Sequence, residues 1–313
     1  MIDRANRYAV KRDLLGYGRN PPDPRWPGGA RIAVNFVLNV EEGSEASVQD
    51  GEGYTENNLT EAAARAQIPR GSDLAAEGMF EYGSRTGFWR VLRQFEERGL
   101  PLTFFACAVA LERNPPIAAA IRESGMDICG HGWRWLKHFE MDEAEERAQI
   151  ARAVASFQQT TGLTTDGWYC RYGPSENTRR LLVEHGGFLY DSDYYGDDLP
   201  FWVTVQGTPR LVVPYSLVVN DAKFFGGFNI ADEWFAMARD HFDMLYAEGA
   251  AGRPAMMSIG LHSRIIGQPN RTIALRKLLD HMQAHEGVWF ARRADIARHW
   301  IGTHPYPGKG LNE

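Results

Sequence analysis

Residues 31–45 read RIAVNFVLNVEEGSE, and the fold turns on how this stretch is taken. The run Ile32 to Val40 is almost unbroken apolar sequence, rich in β-branched and aromatic residues. Such a run fits a strand buried on both faces better than one with a wet side. It ends in two adjacent carboxylates, Glu41 and Glu42, followed at once by Gly43. In α/β architectures ligands collect at the carboxyl ends of strands, so this acidic pair is a candidate site. A strand end also commonly carries polar residues that do no more than meet water. Partners at other strand ends decide between the two readings.

Working outward, the chain alternates apolar runs with amphipathic helical patterns. LTFFACAVAL reads as a buried strand running into a turn, and NPPIAAAIRESG as a helix with proline at its start. MDICGHG is a short strand ending at His131, and residues 142–160 carry an acidic first turn and apolar positions at helical spacing. TTDGWYCRYG gives a strand ending near Arg171, FLYDSDYYGDD one ending in acids, and PAMMSIGLH one ending at His262. Upstream, EYGSRTGFWRVLRQFEERG reads as a lead-in loop and then a helix, and a long polar stretch, 43–78, holds a short helical piece around Thr60 to Ala66. This alternation predicts an α/β fold with a parallel sheet, closed or nearly closed as a (β/α) barrel. Residues 1–30, broken by prolines and glycines, form an irregular N-terminal arm. Residues 31–313 form a single barrel domain, since no linker divides them.

Composition narrows the function. A 313-residue chain with 44% hydrophobic residues and a net charge of -6 can bury a large core and lacks the basic stripe that nucleic acid requires. No apolar run reaches the ~20 residues that span a bilayer, and the first residues lack a secretory apolar core, so a cytoplasmic location is expected. Three cysteines, Cys107, Cys129 and Cys170, are odd in number and form no CxxC pair, which reads as buried reduced thiols. No GxGxxG, GxxxxGK[ST] or GxSxG motif is present, so dinucleotides, nucleoside triphosphates and serine hydrolase chemistry have no support. The arm's aromatic residues and arginines point to a homo-oligomer.

If the strands are parallel, one rim collects Glu41, Glu42, His131, Arg171, Asp191, Asp193 and His262. Carboxylates, imidazoles and a guanidinium are what a hydrolase needs: a base for water, a donor for the oxyanion, and an acid for the leaving group. One glutamate serves as base with a raised pKa, favoured by burial and its like-charged neighbour. In HGWRWLKH the residue four beyond His131 is Trp135, and His138 lies seven beyond, about 10 Å along a helix. Two ligands of one ion need a tight turn to bring these histidines together, so the motif is weak for zinc, and no metal or other cofactor is expected.

The chain resembles the polysaccharide deacetylase superfamily, and within it a branch of metal-independent allantoinases. The stretches that carry the likeness are RDLLGYGRNPPDPRWPGGARIAVNFVLNVEEGSE, FEYGSRTGFWR, CGHGWRW, SENTRRLLVEHGGFLYDSDYYGDDLPFWV, MMSIGLHSRIIGQPNR and DIARHW. The resemblance implies a deformed (β/α) barrel and a hydrolase that opens a cyclic amide, allantoin to allantoate, in purine breakdown. It places Glu41 as base and Glu42 where the family has a metal-binding carboxylate. It keeps His131 and puts Trp135, on the substrate side, where the family has a second histidine. Arg171 steadies the base, Asp191 and Asp193 stand in the acidic motif that orients the last histidine, and His262 donates the proton. Glu81 and Arg85 border the ring pocket, with Glu81 reading equally as a helix-start residue. The alternatives are a metal-dependent deacetylase of N-acetylated sugars and a ligand-binding protein on the same barrel.

Overall fold

Strand β1, Ile32–Val40, is buried at every position. Its alternate side chains face two cores, as strand geometry requires. Val34, Phe36 and Leu38 pack outward with the helices, while Ala33 and Val37 point into a second cluster with Phe105, Tyr190, Tyr215 and Trp300. Each fully buried side chain of this size contributes about 1.5–3 kcal/mol, so the strand is doubly anchored. The computed structural model describes residues 12–63, 65, 68, 70–227 and 230–308.

Around β1 the sheet is parallel. β2 (Thr103–Ala106) pairs with its C-terminal half, and β3 (Asp127–Gly130), β4 (Gly167–Trp168) and β5 (Tyr190–Asp191) follow in order. Next come β6 (Phe201–Val205) and β7 (Thr208–Val212), an antiparallel hairpin joined to β5 through β7. On the other side of β1 runs β8 (Ala255–His262), and the short β9 (Val288–Phe290) pairs with residues 32–34. The order is β6-β7-β5-β4-β3-β2-β1-β8. The sheet curls as the (β/α) alternation predicts, yet β6 and β8 do not pair with each other among the described residues. Residues after β7 fill that gap, with the Gly260 amide donating to the Val219 carbonyl at 3.0 Å.

The outer layer comprises α1 (Leu74–Tyr82), α2 (Phe88–Glu96), α3 (Ala108–Arg113), α4 (Pro115–Ser124), α5 (Glu143–Thr161), α6 (Thr178–His185), α7 (Ala231–Ala250), α8 (Pro269–Gln283) and α9 (Arg293–Thr303). Three local readings are corrected. The turn expected after β2 is α3, which starts one residue past Cys107. Around Thr60 to Ala66 the described residues form turns, and positions 64 and 66 lie outside the described residues. The lead-in loop at EYGSRTG is helical: α1 continues through a π turn, Gly83–Gly87, into α2. The two glycines, four apart, face the strand ends. A Cβ on Gly83 would run into the Glu42 carboxylate, and one on Gly87 into the Ser263 carbonyl. Glycine there serves close approach, and the wider π turn absorbs the spacing.

At the other end of the curl, the fully buried Arg293 fills the space with a hydrogen-bonded guanidinium. It donates to Ser192 Oγ, Ser258 Oγ, Asn35 Oδ1 and the carbonyls of Val213 and Pro214, so every donor group is satisfied by neutral acceptors. The N-terminal arm lies over the molecule where it is described. The Tyr17 hydroxyl donates to the Pro200 carbonyl at 2.6 Å, and the buried Trp26 donates its indole N–H to the Ala255 carbonyl at 3.0 Å. Residues 1–11 lie outside the described residues. Among the described residues no helix is long and apolar enough to cross a membrane.

The close approach of the π turn is testable. Gly87→Ala forces backbone to move and is expected to cost about 1–3 kcal/mol in urea unfolding. Gly53→Ala, where an added Cβ meets nothing within 4 Å, should stay within about 0.5 kcal/mol of wild type. Equal midpoints for the two variants would show that the helix does not press on the strand ends.

Candidate active site

The β1–β8 register sets Asn39 beside His262, and the β1–β2 register sets Val40 beside Ala106. Glu41, leaving β1, therefore emerges beside His262 at the end of β8, with His131 following β3. The Glu41 Oε1 atom lies 3.2 Å from His131 Nε2 and 3.7 Å from His262 Nε2. Its Oε2 atom lies 2.8 Å from an Arg264 guanidinium nitrogen, and all these groups are buried. The strand-end reasoning thus brings Glu41, His131 and His262 together across three strands.

Both imidazoles are pinned through Nδ1. His131 Nδ1 lies 2.7 Å from the Tyr169 carbonyl, which can only accept, so that nitrogen carries the proton. His262 Nδ1 lies 2.6 Å from Asp221 Oδ1, while Asp221 Oδ2 accepts the His262 and Ile266 amides at 2.7 and 3.1 Å. With Nδ1 held, each Nε2 faces Glu41, as in other base–imidazole–orienter arrangements.

Charge separates the two glutamates. Burial acts to raise the Glu41 carboxyl, but Arg264, His262 and His131 outweigh it and hold the group well below the usual carboxylate range. Burial also acts on Glu42 and here prevails over Arg264, with the Glu41 charge adding to it, so that carboxyl is pushed up. For His262, burial opposes the charge but Asp221 and Glu41 overcome it and raise the imidazole. The raised-pKa base expected at Glu41 is therefore corrected: the neighbouring cations had not been counted. An ionised carboxylate beside an imidazole whose protonated form is favoured is the arrangement that a base and an acid need.

Several other expected residues lie elsewhere. Glu42 turns from the cleft toward Gly83, its Oε1 accepting from the Arg264 amide at 3.2 Å and lying 3.3 Å from the guanidinium. Arg171 lines the cleft but bonds Glu56 at 2.6 Å and the Trp135 carbonyl at 3.0 Å, so Arg264 holds Glu41 in its place. Asp191 is engaged by Arg179 and Arg210 at 2.9 and 3.3 Å. Asp193 accepts from the Cys170 amide at 3.0 Å and is pushed to about 7 by burial and Asp191. Neither orients His262; Asp221 does. Glu81 and Arg85 pair with each other at 3.5 Å on the exposed face of the helix and do not border the cleft. Trp135 is buried in the cleft wall, its ring 3.7 Å from the Arg171 guanidinium carbon and 5.1 Å from that of Arg264. The missed residues, Arg264 and Asp221, sit in SLVVND and LHSR: an acid ending an apolar run and a cation two past the histidine.

The cleft over these groups holds about 420 Å³, with Tyr169, Tyr215 and Leu59 among its apolar walls and Lys137, Lys223 and Arg171 among its cations. This volume suits a small molecule. The alternative reading, a metal-dependent deacetylase, implies a divalent ion here, held by groups at Glu42, His131 and four residues beyond His131. The residues present do not fit it. Position 135 is an indole, Glu42 turns away, and the Arg264 guanidinium already lies against both carboxylates, repelling a second cation.

A family model described as polysaccharide deacetylase matches residues 75–190. A Schizosaccharomyces pombe protein bearing the polysaccharide deacetylase name is 39% identical, over 94% of this chain and 98% of its own. The chain belongs to the polysaccharide deacetylase family and is a hydrolase of that superfamily. Among solved structures, that of PuuE allantoinase superposes with a TM-score of 0.91 at 48% identity, over 95% of this chain and 99% of its own. A Pseudomonas aeruginosa PAO1 protein, also named for polysaccharide deacetylase, gives 0.90 at 48% identity, over 95% of this chain and 100% of its own.

Asp221 raises His262 here, so Asp221→Asn should lower the imidazole pKa by about one unit or more, seen as an earlier loss of the protonated ring in an NMR titration as pH rises. An unchanged titration would remove Asp221 from its orienting role.

Proposed function

We propose that the protein hydrolyses a cyclic amide, with allantoin the ring it opens and allantoate the product. The observation that carries this reading is Arg264 lodged against Glu41 and Glu42, where the acid–base pair of Glu41 and His262 meets a small cleft. In this scheme the ionised Glu41 takes a proton from water as the water oxygen attacks a ring carbonyl. The tetrahedral intermediate then collapses with cleavage of the ring C–N bond. His262 gives its Nε2 proton to the departing nitrogen, leaving a carboxylic acid and a free ureido amine. The acid ionises, and the proton on Glu41 returns to His262. His131 donates its Nδ1–H to the Tyr169 carbonyl, and when its Nε2 also carries a proton it donates to the same Glu41 carboxylate and helps orient it. Lys137, Lys223 and Arg171 suit a substrate rich in carbonyls and a product that carries negative charge.

The likeness to PuuE allantoinase supports the ring substrate. A second reading, removal of an acetyl group from an N-acetylated sugar, has the support of relatives at similar identity that bear the deacetylase name. Both reactions cleave an amide, and the site differs in whether the leaving nitrogen stays tethered to the acyl carbon.

Purified protein incubated with allantoin should form allantoate, and Glu41→Gln should reduce kcat by about 10²–10⁴-fold with folding intact. In parallel, N-acetylated chitooligosaccharides should release no acetate. Acetate release without allantoate would establish the deacetylase reading, and turnover undiminished in Glu41→Gln would remove the glutamate from the chemistry.

A further inference from the structure

Behind the cleft wall lies a second group of ligating side chains that the ring-opening scheme leaves unused. His138, Glu146 and Cys170 are fully buried, and one potential ligand atom from each lies within 4.8 Å of the others. Neither ring nitrogen of His138 has a hydrogen-bond partner of ordinary geometry among the described residues, a looser contact with the Leu136 backbone aside. A buried imidazole left in this state is uncommon in a folded protein and calls for something between the groups. Glu146 accepts hydrogen bonds from Ser175 Oγ, at 2.5 Å, and Thr178 Oγ1, which orient its carboxylate. No lysine or arginine is paired with it among the described residues, although Arg147 and Arg180 nearby engage Glu143 and Glu184 instead. A buried carboxylate with hydroxyl donors but no cation suits an ion.

We propose that His138, Glu146 and Cys170 form a zinc site, separate from the Glu41 centre, in which one nitrogen, one oxygen and one thiolate sulfur bind Zn²⁺. A thiolate and a carboxylate together carry two negative charges, which the ion balances, and the mixture of soft and borderline ligands selects zinc over magnesium or calcium. Zinc bonds of about 2.0–2.3 Å put tetrahedral ligands roughly 3.3–3.8 Å apart, so the side chains need move by little more than about 1 Å. With neither ring nitrogen in an ordinary hydrogen bond, the imidazole can turn a lone pair toward the ion. Binding expels the Cys170 thiol proton to solvent as the Zn–S bond forms, with no change of oxidation state. The fourth position falls to water or to Thr178 Oγ1. The ion ties α5 to the loop after β4 and to the segment after β3. Arg171 directly follows Cys170, and His138 lies three past Trp135, so the site braces the cleft wall from behind.

The sequence showed His131 and His138 as a weak pair. The chain does turn tightly at Gly132, whose φ is +100°, but this sends His138 toward Cys170 and Glu146 rather than toward Glu41. Because the groups are buried, the ion enters during folding.

Protein expressed with zinc supplementation should carry one equivalent of zinc per chain by elemental analysis. Refolded with Co²⁺, it should show a thiolate-to-cobalt charge-transfer band in the near ultraviolet. That band should vanish in Cys170→Ser and persist in Cys129→Ser. His138→Gln, a second variant with circular dichroism as its folding check, should lose at least half of the bound metal. Wild type that folds without taking up zinc, a cobalt band that survives Cys170→Ser, or unchanged metal content in His138→Gln would each overturn the assignment. None of these readouts depends on which amide the protein opens.

Discussion

A single buried guanidinium sets the charge balance at the end of the central strand. Two adjacent glutamates at the end of a fully buried strand cannot both ionise in a low dielectric without a counter-charge. Arg264 supplies it, lying 2.8 Å from Glu41 and 3.3 Å from Glu42. The two imidazoles face Glu41 alone, so the shared cation does not act equally. Glu41 is held ionised and Glu42 is pushed toward its neutral form. Removing one partner from such a buried arrangement leaves an uncompensated charge, a loss of about 3–5 kcal/mol.

The fold is arranged to bring Arg264 to that place. Its guanidinium lies 4.4 Å from the Phe80 ring of α1, and its Nε donates to the Leu59 carbonyl at 3.0 Å. The glycines of the π turn let the α1–α2 segment close on Glu42 and on the Ser263 carbonyl, next to Arg264. The parallel register of β1 and β8 then fixes His262, two residues before Arg264, beside the end of β1. Asp221, on the segment that fills the gap between β6 and β8, completes the set by holding His262 through Nδ1. The opening in the sheet is thus where the His262 imidazole is oriented.

Much of this was legible in the sequence, and the limits have physical causes. β1 could be read because a strand buried on both faces leaves a nearly unbroken apolar run. Glu41, His131 and His262 could be found because parallel strands gather their C-terminal ends on one rim. Arg264 and Asp221 could not be placed, since both stand outside strands, where no periodicity fixes direction. Missing Arg264 gave the wrong sign for Glu41: burial alone raises a carboxyl, and the groups that reverse it, Arg264, His262 and His131, come from segments far along the chain. Glu81 and Arg85 went astray for a different reason. The family resemblance placed them at the ring pocket, whereas they lie on a helical segment whose outer face carries both charges to solvent.

The most direct test of this account is a ¹³C NMR titration of the Glu41 carboxyl in wild type and in Arg264→Gln, both confirmed as folded. The wild-type carboxyl should stay ionised through the whole range in which exposed glutamates protonate, near pH 4.3, and in the variant protonation should begin at least about one pH unit higher than in wild type. Identical titrations in the two proteins would contradict the claim that Arg264 sets the charge of the site.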